Sequence, residues 1–150
     1  MAVIPRSHAR RAALQALYHG LVNEETEIQH ATLAFVSAEN AANLDQQYFE
    51  ALVAGVSHHS NALDNEIKPF IDRALSSIDP VESIILRLAV YEFLHQPDIP
   101  YRVILNEAVE LAKAFGSDKG HKYVNGVLDK VGAKLRQVEY QAIKKQLSSH

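Results

Sequence analysis

Residues 101–116 read YRVILNEAVELAKAFG and form the most regular segment of the chain. Apolar side chains recur there every three or four positions, at Tyr101, Ile104, Leu105, Ala108, Leu111, Ala112 and Phe115. This spacing places them along one face of an α-helix. Gly116 favours a helix end, and Ser117 is a suitable cap for a following helix. The segment therefore predicts a helix whose apolar face belongs to a hydrophobic core.

The same spacing recurs on both sides of this segment. It predicts further helices over about 7–21, from about 44 to just before Pro69, from about 80 onward and after Ser117, with a shorter candidate over 31–36 and a surface helix in the tail. Asp79 is a plausible N-cap, because Pro80 suits the first helical position and Glu82 follows three residues after Asp79. No segment gives a convincing strand pattern.

These elements predict an all-α fold of about seven helices in a single domain over residues 1–150. The turn signals near residues 76–80 divide it into a helical half over about 6–76 and another over about 79–135, followed by a basic tail over 136–150. One core is feasible, because a chain of 150 residues buries roughly 70% of its unfolded surface.

The composition is that of an average globular protein, with 47% hydrophobic and 22% charged residues. The absence of cysteine excludes disulfides, thiolate nucleophiles and Cys-ligated zinc. The longest apolar runs are too short to span a membrane, and the N-terminus lacks the apolar region of a secretory signal. We therefore expect a cytoplasmic protein with no membrane partner.

The histidines and carboxylates give no convincing catalytic or metal site. His8, His19 and His30 would lie about 16 Å apart along a helix, too far to share an ion. Glu107 and Glu110 are one turn apart, which is more typical of a solvated helix face than of an acid–base pair. We therefore predict no catalytic residue, no metal and no cofactor.

The charge distribution instead indicates a binding protein. The formal net charge is −3, yet residues 1–20 carry +3, residues 117–150 carry +4 and the middle is acidic. Arg6, Arg10 and Arg11 begin a helix, where cations oppose the macrodipole and an external anion would stabilise them. A second helix start combines Lys119 and Lys122 with Tyr123.

The second combination is typical of single-stranded nucleic-acid sites, in which cations bind the backbone and a ring stacks on a base. Two alternatives remain open at this point. Tyr123 also fits a half-buried core position, and both basic segments also fit solvated helix surface.

Several blocks of the sequence resemble the NusB family of bacterial transcription antitermination factors. The most specific are IPYRVILNEAVELAKAFG at 99–116 and HKYVNGVLDK at 121–130, and further matches are ARRAALQALY at 9–18 and shorter stretches near residues 48–56 and 82–92. Together they cover most of residues 9–131.

The resemblance implies two roughly perpendicular three-helix bundles and no enzymatic activity. It also implies binding to boxA RNA together with NusE, a small-subunit ribosomal protein, within the antitermination complex on RNA polymerase. Glu82 matches an acidic position near the partner protein. With the basic clusters included, the candidate RNA-binding residues are Arg6, Arg10, Arg11, Tyr18, Lys119, Lys122 and Tyr123.

Departures from the family pattern leave two other functions to consider. Ser7 and His8 interrupt the N-terminal arginines, Lys119 stands where some relatives carry an acid, and the tail from about Leu135 matches no motif. One alternative is a helical protein-interaction scaffold without RNA binding. The other is a detached RNA-binding module of a ribosomal RNA cytosine methyltransferase, whose α/β cofactor domain this sequence does not contain.

Overall fold

The computed structural model describes residues 6–22 and 45–148. Every regular element in these two ranges is helical, which confirms the all-α prediction. The described ranges contain seven α-helices, α1 Arg6–Val22, α2 Gln46–His58, α3 Ser60–Ile67, α4 Pro80–His95, α5 Tyr101–Phe115, α6 Gly120–Leu135 and α7 Gln137–Ser148, and short 3₁₀ helices cover Lys68–Phe70 and Leu75–Ser77. The candidate helix over 31–36 lies outside the described residues. No helix in the described ranges is long and apolar enough to cross a membrane.

The chain divides into two compact units, one up to Ser60 and the other from Asn61 onward. This boundary lies before the turn signals near residues 76–80. In the first unit, α1 packs against α2. Their buried residues include Ala9, Ala13, Leu14, Phe49, Leu52 and Val53.

The prediction of one long helix from about 44 to Pro69 is wrong at His59. The Ser57 hydroxyl donates to the Val53 carbonyl at 2.7 Å, a bond that competes with the helical backbone pattern and favours a bend. α2 then ends, and the His59 amide donates back to the Gly55 carbonyl at 3.0 Å. α3 continues to Ile67, so the helical segment does end before Pro69, which enters a 3₁₀ turn.

In the second unit, α4, α5 and α6 pack against one another and α7 packs against α6. The predicted start of α4 is confirmed, because the Asp79 carboxylate accepts from the amides of Val81 at 2.9 Å and Glu82 at 3.3 Å. The α5 stripe is buried at Tyr101, Ile104, Ala108, Leu111 and Ala112. Phe115 lies at the exposed edge of that stripe.

Arg136 and Glu139 join the end of α4 to the start of α5, beside the end of α6. We call this part of the second unit the Arg136 end. The buried Arg136 guanidinium donates to the carbonyls of Phe93 at 2.8 Å, Gln96 at 2.8 Å and Ile99 at 3.0 Å. It also pairs with Glu139, whose other carboxylate oxygen accepts from the Tyr101 amide at 2.8 Å. The first residues of the tail, which match no family motif, therefore fix both ends of the α4–α5 connection.

Candidate nucleic-acid interface

The basic start of α1 lies against an aromatic ring of α2. The guanidinium of Arg6 is 4.5 Å from the Tyr48 ring centroid, and that of Arg10 is 5.8 Å from it. Arg10 is only 4% exposed, whereas Arg6 is exposed. Attraction of both cations to the ring offsets part of their unfavourable position at a helix start.

Arg11 and Tyr18 lie on a different side of α1 from Arg10. Both are exposed, and their separation of seven residues, two helical turns, puts them on one face about 10 Å apart along the axis. Arg6, Arg10, Arg11 and Tyr18 are named the α1 cluster below. Its outward side presents Arg6, Arg11 and Tyr18.

The second basic group lies at the start of α6 and is named the α6 cluster: Lys119, Lys122 and Tyr123. Lys119 occupies the N-cap position, and no side chain caps the helix there. Both lysines are exposed, and neither pairs with a carboxylate of the residues that the structure describes. The cluster therefore presents two ammonium groups to solvent at one helix start.

The prediction that Ser117 caps this helix is wrong. Its hydroxyl donates instead to the Glu82 carboxylate, at 2.7 Å, and α6 begins three residues later. Glu82 is 6% exposed and fills the space beside Gly120, where an added Cβ would lie 1.7 Å from Glu82 Oε1. A carboxylate at this place is favourable because the N-terminus of a helix is its positive end. Glu82 thereby fixes the turn that carries Lys119.

Tyr123 is half-buried, and its hydroxyl is buried without a hydrogen-bond partner among the described residues. Burial raises the pKa of the Tyr123 phenol above its usual value, and the nearby Arg73 opposes part of that rise. The Arg73 guanidinium lies 4.9 Å from the ring centroid. This burial is what the core alternative expects, yet part of the residue remains accessible beside Lys122.

Arg73 is the residue at this site that the sequence analysis missed. It stands fifty positions before Tyr123, as a single arginine between two 3₁₀ turns. No local spacing connects an arginine in such a linker to a ring on a later helix. Only tertiary packing places them together.

The structure brings Lys119, Lys122, Tyr123 and Glu82 together within the second unit, and it places the α1 cluster in the first unit. Formation of one surface by the two clusters stays a prediction. No group of three or more His, Asp or Glu side chains in the described ranges is arranged to hold a metal ion.

Comparison with known proteins identifies the family. A family model described as the NusB family matches residues 7–133. The chain belongs to the NusB family. The transcription antitermination protein NusB of Actinobacillus pleuropneumoniae serotype 5b is 44% identical over 135 residues, which cover 90% of this chain and 98% of that protein. NusB of Nitrosococcus oceani is 44% identical over 137 residues, which cover 91% of each chain.

Solved structures of the NusB family have the same fold. The structure of T. maritima NusB superposes with a TM-score of 0.77 at 27% identity, covering 87% of this chain and 92% of that one. A chain from a crystal structure of the antitermination factors NusB and NusE in complex with dsRNA gives a TM-score of 0.73 at 24% identity, covering 91% of this chain and 96% of that one. The second likeness concerns the fold alone.

Proposed function

We propose that this chain is a transcription antitermination factor that binds boxA-type RNA together with NusE and helps to assemble the antitermination complex on RNA polymerase at ribosomal RNA operons. Its relatives bear the antitermination name, and a chain with the same fold comes from a complex with NusE and RNA. The observation that carries the proposal is the α6 cluster, two exposed lysines beside a half-buried tyrosine. The role is a binding role without catalysis or cofactor, exercised in the bacterial cytoplasm where transcription occurs.

At the α6 cluster, the lysines rather than the helix end bind phosphate. A bare helix N-terminus favours anions, but here the Glu82 carboxylate already lies beside Gly120. A phosphate at the same point would meet that negative charge. Lys119 and Lys122 extend from the first turn into solvent, where they contact a phosphate without approaching Glu82 as closely.

At the α1 cluster, Arg6, Arg11 and Tyr18 contact RNA directly. Arg10 is too buried for an extensive contact, and it contributes positive potential while holding the Tyr48 ring beside Arg6. His8 is exposed between them, so this segment carries fewer arginines than a continuous arginine run.

NusE supplies the affinity that the chain lacks alone. The formal net charge of −3 repels RNA at long range, and a basic partner adds phosphate contacts and reduces that repulsion. Glu82 is proposed as a partner-side residue, and because it is buried it acts through the turn that it holds by Ser117. Calorimetry is expected to detect NusE binding without RNA, and a weaker affinity for the Glu82→Ala variant.

The proposal is tested by fluorescence anisotropy with labelled boxA RNA, with and without NusE, across a range of salt concentrations. We expect tight binding only with NusE, and a salt slope about 0.7 smaller for Lys122→Ala. Arg102→Ala is the matched control, because Arg102 is also exposed but lies at the start of α5. Binding to NusE without any RNA binding would instead support the interaction scaffold.

A further inference from the structure

The linker between α3 and α4 places a third cation at the start of α6. Arg73 lies between the two 3₁₀ turns, and its guanidinium is 4.9 Å from the centroid of the Tyr123 ring. Tyr123 follows Lys122 directly in α6. The three groups thus combine a planar cation, a ring and an ammonium group within the second unit.

The charge of Arg73 is available to a ligand. Among the described residues its ion-pair partner is its neighbour Asp72, with Nε and Oδ1 3.2 Å apart and side chains 51% and 78% exposed. Such surface pairs contribute little, because water screens them and both side chains must be immobilised. A phosphate can therefore replace Asp72 as the partner of Arg73 with little loss of free energy.

The orientation of Tyr123 makes Arg73 the more accessible of the two stacking groups. The tyrosine hydroxyl is buried, which fixes one edge of the ring towards the protein, and Arg73 lies over the ring. The Arg73 side chain is 51% exposed, so its guanidinium remains accessible to a ligand. Protein sites for unpaired RNA use arginine planes as well as aromatic rings to stack bases.

We propose that Arg73 is an RNA-binding residue, which stacks a base on the side of its guanidinium that faces away from Tyr123 and binds a neighbouring phosphate through its N–H groups. The proposal rests on RNA binding as the function of the α6 cluster. RNA is favoured over an acidic protein segment because the site combines a planar stacking group with phosphate-binding lysines. Tyr123 then acts as the support that holds the guanidinium in place.

The test measures boxA RNA binding by the complex with NusE at several salt concentrations. Arg73→Ala is expected to lower affinity about fivefold or more and to reduce the salt slope by about 0.7, since it removes both the stacking plane and a phosphate contact. Arg73→Lys keeps the charge but not the plane. It is expected to keep the slope while still binding about fivefold more weakly.

Two further variants decide whether the pair acts as one element. In the Arg73→Ala background, the additional change Tyr123→Ala is expected to lower RNA affinity by much less than it does in the wild-type protein. The reason is that Tyr123 acts by positioning the Arg73 guanidinium, which is already absent. Arg102→Ala is expected to bind RNA as the wild type does. Arg102 lies near the start of α5, about 20 Å along the helix from Phe115, the end of α5 that precedes α6. Thermal melts of each variant show whether it is folded at the temperature of the binding measurement, so that only folded proteins are compared in RNA affinity.

Two results would overturn the proposal while leaving the proposed function intact. The first is an Arg73→Ala variant that matches Arg102→Ala while Lys122→Ala weakens binding. The second is an Arg73→Lys variant with wild-type affinity, which would reduce Arg73 to a point charge. If instead the wild-type complex binds no boxA RNA, the proposed function itself fails.

Discussion

At the Arg136 end of the second unit, polar groups are matched to partners, whereas at the start of α6 the Tyr123 hydroxyl, Lys119 and Lys122 lack partners among the described residues. Arg136 donates to three carbonyls at 2.8–3.0 Å, and Tyr101 donates from its hydroxyl to Asp129 at 2.6 Å. At the other end of α6, Tyr123 has a buried hydroxyl without a described partner, and two lysines have no described counter-ion. Both ends are built on α4, α5 and α6.

The difference separates stability from binding. Buried polar groups are normally paired, because an unpaired one loses its hydration without compensation. Within the α6 cluster the buried Tyr123 hydroxyl departs from this rule, and a departure of this kind on a well-packed scaffold is expected at a site with a function. The Arg136 end supplies the rigidity that holds α6 in place.

The largest effect is expected from Arg136→Ala. The change leaves the carbonyls of Phe93, Gln96 and Ile99 without their donor and Glu139 without its cation, so the free energy of unfolding should fall by about 3–5 kcal/mol. Urea denaturation measures it, with Lys122→Ala as the control from the opposite end, expected within about 0.5 kcal/mol of wild type. If Arg136→Ala and Lys122→Ala lost equal amounts of unfolding free energy, the stabilising role of the Arg136 end relative to the α6 cluster would be contradicted.

A matched pair of glycine substitutions gives the next largest effect. In Gly132→Ala the new Cβ would lie 2.0 Å from Tyr101 Cε2, so a packed ring must move and stability should fall by about 1–3 kcal/mol. In Gly120→Ala the Cβ meets the end of the Glu82 side chain, which can turn outward. We expect a smaller loss of stability but weaker RNA binding, because the carboxylate then lies nearer the lysines. Thermal melts and anisotropy measure the two effects, and weaker RNA binding by Gly132→Ala at equal folded fraction would contradict this assignment.

Local patterns in the sequence predicted the described helices apart from the break at His59, but they did not predict the contacts between them. The start of α4 follows from Asp79 and Pro80, whose capping interactions lie within one turn. Ser117 has the same capping chemistry, yet its hydroxyl bonds to Glu82, thirty-five residues earlier. Arg73 was missed for the same reason. The α6 cluster could be proposed from the sequence because its residues are neighbours along the chain.

Alkaline pH is expected to reduce the difference in the free energy of unfolding between the wild type and the Tyr101→Phe variant. Burial, followed by the hydrogen bond to Asp129 and the charge of that carboxylate, raises the pKa of Tyr101 well above its usual value. A raised pKa means that its contribution is complete below about pH 10 and is lost as pH rises towards the folded pKa. Tyr101→Phe should therefore cost about 1 kcal/mol at pH 8 and less at pH 11. Urea denaturation at the two pH values measures this, and a gap that widens with pH would contradict it.

The smallest change in stability is expected from Tyr123→Phe. Its size distinguishes the unpartnered hydroxyl of Tyr123 from the hydrogen-bonded hydroxyl of Tyr101. The Tyr123 hydroxyl is buried without a described partner, so its removal deletes an uncompensated polar group and leaves the ring beneath Arg73 unchanged. Stability should stay within about 0.5 kcal/mol of wild type or rise, and RNA affinity should be kept, because stacking and the support of Arg73 depend on the ring. Tyr101→Phe, which loses a bond to Asp129, is the control in the melts. A loss of RNA affinity in Tyr123→Phe at unchanged stability would mean that the hydroxyl contacts RNA directly, and that the ring turns outward when RNA binds.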